Sequence, residues 1–307
     1  MMFFIFFIEF AFTAFPFICI LLSVAYFTLL ERKLLGSIML RKGPDKVGFM
    51  GLLQPFSDAG KLFTKELVIP QNCNMLVFLV CPGIMLGVSL GFWTLYPFKS
   101  TDLCIVFGFM GFLVLSSFSV YSVMFAGWSS NSKYSVLGCM RSVAQSISYE
   151  IPLMLIFFVL IYISQSFFLQ EIYAWQENFL FFFSLNLFIL MEWMVCLLAE
   201  NNRSPFDFVE GESELVSGFN VEYSGGLFAM IFMSEYSSML YSSVLSSVLF
   251  FGFIEVFMSV IALVLVLSFI WVRGTYPRMR YDKLMKLSWT LFTCVPLIYA
   301  MTLVVLI

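Results

Sequence analysis

Histidine is absent from this 307-residue chain. With it go histidine-ligated haem, histidine metal sites and imidazole proton relays, the uses of the one side chain that ordinarily titrates near neutral pH. Cysteine is scarce: Cys19, Cys73, Cys81, Cys104, Cys139, Cys196 and Cys294 stand singly, mostly inside apolar runs, with no C-x-x-C pair. They read as small buried residues and support neither zinc nor an iron–sulfur cluster. The chain is therefore expected to bind no metal, haem or flavin, and any redox chemistry must belong to a partner. Charge is also in short supply, at 11% of residues, and the net charge of -3 does not point to nucleic acid.

Apolar residues fill the space. They make up 61% of the chain, mean hydropathy is +0.98, and uncharged runs of about twenty residues recur, which marks a polytopic membrane protein. Barrel strands would alternate polar and apolar residues, and these runs do not. The expected class is an all-α polytopic membrane protein, residues 1–307 forming a single transmembrane domain of about eight helices. The expected spans are residues 10–30, 75–97, 103–125, one ending near Ile163, 179–198, two within 223–272 and one reaching 307. The first lacks a basic leader and a small-residue cleavage site, so it is expected to be a retained helix. In the second, Pro82, Gly83, Gly87 and Gly91 are expected to permit bends and close helix approach.

Eight spans place segments 31–66, 128–141, 199–226 and 273–286 on one side, with all but one of the 16 Lys and Arg; only Lys99 falls on the other. The positive-inside rule makes that side the cytoplasm or its organellar equivalent, the matrix, and puts both termini opposite. Segment 31–66 opens with E-R-K-L-L-G-S-I-M-L-R-K-G-P-D-K-V-G, which ends the first span. Then Leu52, Phe56, Ala59 and Phe63 recur at helical spacing with Asp58, Lys61 and Lys65 off the stripe. This predicts an amphipathic helix on the membrane surface or under a partner.

Segment 199–226 holds Glu200, Asp207, Glu210, Glu212, Glu214 and Glu222 against a single base, Arg203. A solvated acidic loop would carry such charge, but it would avoid the interleaved Phe206, Phe208, Val209, Leu215, Val216, Phe219 and Val221. Acidic and apolar at once, the segment is expected to fold into protein, where crowded carboxylates exchange protons near neutral pH. Ser204, Pro205 and Asp207 read as N-cap, N1 and N3 of a short helix, with Arg203 holding the loop in register. Three more carboxylates, Glu150, Glu192 and Glu235, lie inside spans. Each costs about 2.5 to 3.5 kcal/mol at a helix centre, so each should face a bundle interior or wet cavity. They read either as neutral acids bonding a neighbouring helix or as proton-exchanging sites leading inward from the loop. Tyr149-Glu150 and Glu235-Tyr236 suggest pairing, although adjacent helical positions point about 100° apart.

The 31–48 run, the following Q-P-F-S-D-A-G-K-L-F-T-K-E, and A-E-N-N-R-S-P-F-D-F-V-E-G-E-S-E-L-V-S-G-F-N-V-E-Y-S-G-G resemble the two signature segments of the chain 1 family of NADH:ubiquinone oxidoreductase, the heel of respiratory complex I. R-G-T-Y-P-R-M-R-Y-D-K-L-M is similar to the family's segment before its last helix, so the likeness spans the chain. It implies a subunit of an NADH:ubiquinone reductase that forms the membrane mouth of the quinone cavity and couples quinone reduction to proton translocation. It also implies hydrophilic partner subunits carrying FMN and iron–sulfur clusters and fed by NADH, a proton-pumping membrane arm, ubiquinone or a relative as substrate, and membrane lipid around the spans. The family's cavity residues fall on Arg32, Glu200, Arg203, Asp207, Glu210, Glu212, Glu214 and Glu222, and its buried glutamates on Glu150 and Glu235; Glu192 matches no motif. The short form, 40 phenylalanines and missing presequence point to a multi-pass, mitochondrially encoded protein of the mitochondrial inner membrane.

Two rival classes are weighed against this. A secondary transporter would show inverted repeats with interrupted helices, of which Gln54-Pro55-Phe56 and Ser204-Pro205-Phe206 give only a same-side echo. A plain scaffold explains the spans but neither the buried glutamates nor the acidic segment.

Overall fold

The computed structural model describes residues 2–96, 108–169, 171–172, 187–208, 218–251 and 255–306. Among these residues there is no strand; the elements are α1 (Met2–Ile38), α2 (Gln54–Thr64), α3 (Met75–Thr94), α4 (Gly108–Ser129), α5 (Lys133–Ser164), α6 (Leu187–Glu200), α7 (Gly225–Phe250), α8 (Glu255–Thr275), α9 (Tyr281–Leu287) and α10 (Cys294–Leu306). Short 3₁₀ turns occupy Phe49–Gly51 and Gly218–Glu222, and a π turn, Ser288–Phe292, lies between α9 and α10. Helices are the outcome that chains of this composition favour, because a helix satisfies its own backbone donors and acceptors where water is absent.

Among the described residues six stretches are long and apolar enough to cross a membrane: Phe15–Ile38, α3, α4, α5, Phe257–Thr275 and Tyr281–Val304. The other two expected spans map onto α6, whose described part has 14 residues, and α7, which has 26. Serines make α7 less apolar, yet the serine hydroxyls are satisfied locally. Ser234, Ser237, Ser238, Ser242, Ser243, Ser246 and Ser247 each donate to the carbonyl three residues earlier, at 2.6 to 3.1 Å. A helix can thus carry a polar stripe through an apolar medium without stranding a donor.

α7 is central, packing on α1, α2, α3 and α8, while α3, α4, α5 and α6 continue around it and α10 closes on α5. Association here depends on close packing, since lipid tails are as apolar as the side chains they replace. The core is correspondingly aromatic: Trp193 meets Phe157 edge-on at 5.0 Å, and Tyr241 lies 5.3 Å from Phe92. Such pairs contribute about 0.5–1.5 kcal/mol each beyond the area they cover.

Several expectations are corrected. The first helix does not end at Glu31 but continues to Ile38, because Glu31 is buried and matched by cations from other segments. The basic segment 273–286 is mostly helical, with α8 running through Thr275 and α9 beginning at Tyr281. A Cβ at Gly83 or Gly87 would meet nothing within 4 Å, so these glycines mark no close approach. The close approach is elsewhere: a Cβ on Gly138 of α5 would lie 2.8 Å from the Gly218 Cα. Finally, Pro55 opens α2 whereas Pro205 lies in a turn outside any helix, so the echo between those triplets is not a structural repeat.

Candidate functional site

Glu31 reaches the end of the bundle on α1 with 4% of its surface exposed. Two guanidiniums meet its carboxylate: Arg273 from α8 in direct contact and Arg203, whose Nη1 is 3.8 Å from Oε1. Arg203 also lies over the Tyr236 ring of α7, 4.3 Å from its centroid. Burial works against its charge, but Tyr236, Glu31 and Glu235 together outweigh that penalty and hold its pKa above the ordinary arginine value. Arg203 is therefore a permanent buried cation with acids on two helices around it.

The turn bearing Arg203 follows from local chemistry. Asn202 takes φ +49, the left-handed conformation that asparagine tolerates, and Arg203 N–H returns to the Leu198 carbonyl at 3.2 Å, ending α6. Phe206 N–H donates to the Arg203 carbonyl at 2.8 Å. Residues 204–208 form no helix, which corrects the expected Ser204 cap and the N1 and N3 roles of Pro205 and Asp207. Asp207 is buried and accepts from Arg278 Nη2 at 3.3 Å, so its carboxylate is engaged across segments instead of at a helix start. Behind the turn, Gln145 of α5, fully buried, donates from Nε2 to the carbonyls of Ala199 at 2.8 Å and Phe206 at 2.9 Å.

On the inward side of this turn is a cavity of about 100 Å³ between α3, α4, α7 and the end of α6. Its polar walls are Glu200, Asn201, Asn202, Glu235 and the hydroxyl-bearing Ser89, Ser119, Ser122, Ser234, Ser238 and Ser242. Asn201 Nδ2 donates to Ser242 Oγ at 3.0 Å. A polar space of this size has room for several waters. Glu150, half-buried on α5, is within electrostatic reach of Glu200. Glu192 is buried two helical turns before Glu200 on α6, and neither carboxylate oxygen has a hydrogen-bond partner among the described residues. That geometry does not fit the reading of Glu192 as an acid bonding a neighbouring helix.

The structure thus brings Arg203, Glu200 and Glu235 together, with Glu150 close by. Arg32 stands apart, exposed and paired with Asp58 of α2 at 2.5 Å. Glu222 is half-buried at the end of the Gly218–Glu222 turn. Glu210, Glu212 and Glu214 lie outside the described residues. Both tyrosines of the suggested pairs have partners on other segments: Tyr149 Oη donates to the Leu284 carbonyl at 3.3 Å, and Tyr236 engages Arg203 and Glu31. Among the described residues no group of His, Cys, Asp and Glu is arranged to hold a metal ion.

Sequence reasoning missed Glu31, Arg273, Arg278 and Gln145 as parts of this site. An acid at the junction of a span and a basic run was the available signal for Glu31. For Gln145 it was the polar face Gly138, Ser142, Gln145 and Tyr149, spaced at helical intervals inside a span.

Comparison with known proteins adds an independent line. The family model described as NADH dehydrogenase matches residues 12–305. The chain is 54% identical to NADH-ubiquinone oxidoreductase chain 1 of Mytilus edulis over 292 residues, 95% of this chain and 96% of that one. It is 50% identical to the protein of the same name from Aedes aegypti, covering 92% of this chain and 90% of that one. With the Heterololigo bleekeri protein of that name the identity is 51%, covering 89% and 88%.

Proposed function

Because this chain belongs to the NADH dehydrogenase family and is a membrane subunit of complex I, an NADH:ubiquinone oxidoreductase, we propose that it forms the membrane part and mouth of the quinone cavity and couples quinone reduction to proton translocation. Other complex I subunits are its partners. Those of the hydrophilic arm hold the FMN and iron–sulfur clusters that take electrons from NADH, and the chain itself works by charge and position. It resides in the mitochondrial inner membrane among lipids, with segments 31–66, 128–141, 199–226 and 273–286 on the matrix side.

Reduction of a quinone, ubiquinone or a relative, builds negative charge on the head group and requires two protons. The head group needs donors and charges near it, while its tail needs the apolar lining that these helices supply. The observation that carries the reading is the position of Arg203, a buried cation between Glu31 at the end of the bundle and the cavity walled by Glu200 and Glu235. Negative charge arriving near the cluster competes with Glu31 for the two guanidiniums. The carboxylates behind Arg203 then feel a weaker cation and bind protons more readily. Glu200 lies within electrostatic reach of Glu150, so the change can pass inward along acids and cavity water. The acids at 210, 212 and 214 would act at the outer end of the same row, and Arg32 at the mouth.

The test is Glu200→Gln and Glu235→Gln in the assembled complex. Each change keeps shape and most hydrogen bonding and removes titration. NADH oxidation by an artificial acceptor that bypasses the quinone site should persist, while NADH:quinone activity and pumping fall by about tenfold or more. Wild-type quinone activity in both variants would refute the coupling role.

A further inference from the structure

Gln145 is the buried polar side chain of α5 whose contacts reach farthest toward the acidic segment. Both of its strong bonds leave one atom, Nε2, and end on carbonyls seven residues apart, Ala199 at 2.8 Å and Phe206 at 2.9 Å. Two acceptors facing one nitrogen fix which end of the amide points there. Between those carbonyls the chain presents Glu200 to the cavity and Arg203 to Glu31 and Tyr236. One helical turn further along α5, the Tyr149 ring lies 6.3 Å from the Phe206 ring, supporting the same turn from beside the amide. Two turns earlier, α5 approaches the same segment again: a Cβ on Gly138 would lie 2.8 Å from the Gly218 Cα. One face of α5 therefore meets the acidic segment at Ala199, Phe206 and Gly218.

We propose that Gln145 is a positioning residue for quinone-coupled proton transfer, its single amide closing the turn that aims Glu200 into the cavity and Arg203 onto Glu31. The proposal rests on the coupling role assigned above to Glu200 and Arg203. The chemistry is selective for glutamine. An ionised glutamate would set acceptors against two carbonyls, a methionine of similar volume has no donor, and asparagine is one methylene short of reaching both. With the two bonds lost, α5 no longer fixes the carbonyls at Ala199 and Phe206, and the turn keeps only its contacts with α1, α7 and the segment of Arg278. A displacement of about 1 Å at a group that must exchange protons is enough to cost up to a hundredfold in rate.

The experiment compares Gln145→Met, Glu200→Gln and the double variant in the assembled complex, with activity per assembled complex normalised by artificial-acceptor NADH oxidation. Gln145→Met should lower quinone-linked kcat by about tenfold and leave KM for quinone within about twofold, since binding of the tail does not involve the turn. The double variant should be no slower than the slower single variant, because both act at one turn. If Gln145→Met fails to assemble, Gln145→Asn, which can keep one bond, is read in its place. A wild-type rate in the Gln145 variant beside an impaired Glu200→Gln overturns the positioning role alone. So does a double variant whose losses multiply, the mark of an independent structural defect. If Glu200→Gln itself retains the wild-type rate, Glu200 has no part in coupling and the positioning role of Gln145 falls with it.

Discussion

Replacing Glu31 by glutamine removes a carboxylate shared by two guanidiniums, and the structure sets how unequal the consequences are. Arg203 lies 3.8 Å from Glu31 with its side chain 8% exposed. At an effective dielectric near 20 such a pair is worth about 4 kcal/mol before desolvation, and breaking a buried pair by removing one partner costs about 3–5 kcal/mol. Arg273 has 35% of its side chain exposed, so water can take over its solvation. An ion pair of that kind is worth about 1 kcal/mol or less. Glu31→Gln should therefore destabilise most, by about 3 kcal/mol or roughly a hundredfold in the opening equilibrium. Arg203→Met comes second, because Glu31 keeps Arg273, and Arg273→Gln is mildest. The assay heats detergent-solubilised complex and scores, on native gels, the temperature at which half of this chain leaves the assembly. Arg273→Gln falling as far as Glu31→Gln, or Glu31→Gln matching wild type, would refute the argument that burial of Arg203 sets the order.

Two further outcomes are expected. Single cysteines introduced at positions 42 and 280 should react only with reagent supplied from the matrix side and cysteines near either terminus only from the opposite side; labelling at 42 or 280 by a reagent confined to the outer face would invalidate the topology. Glu212→Gln and Glu214→Gln should each impair quinone reduction and pumping far more than assembly, because neighbouring carboxylates cannot all ionise independently; unchanged quinone activity in both would remove loop titration from the mechanism.

The helical membrane class was legible because it depends on local sums: about twenty uncharged residues are needed to cross, and a helix is how such a run satisfies its own backbone. The same holds for Glu200 and Glu235 as residues of interest, since an acid in or beside a span is conspicuous against its apolar neighbours. Local reasoning failed where a partner distant in sequence decided the outcome. Ser204, Pro205 and Asp207 read as a helix start, but Arg278 engages Asp207. Glu31 read as the polar stop of a span, but Arg203 and Arg273 neutralise it and the helix continues to Ile38.

Sequence by itself determined the class, the concentration of Lys and Arg in four segments and, through two long signature segments, the family. Tertiary structure alone decided which of those charges meet. Arg203 lies beside Glu31, 172 positions away, and over Tyr236, while the neighbouring Arg32 turns outward to Asp58. The physical reason is that composition sets the cost of burying a charge, whereas the helix phase and packing of separate segments determine whether a counter-charge stands where that burial occurs.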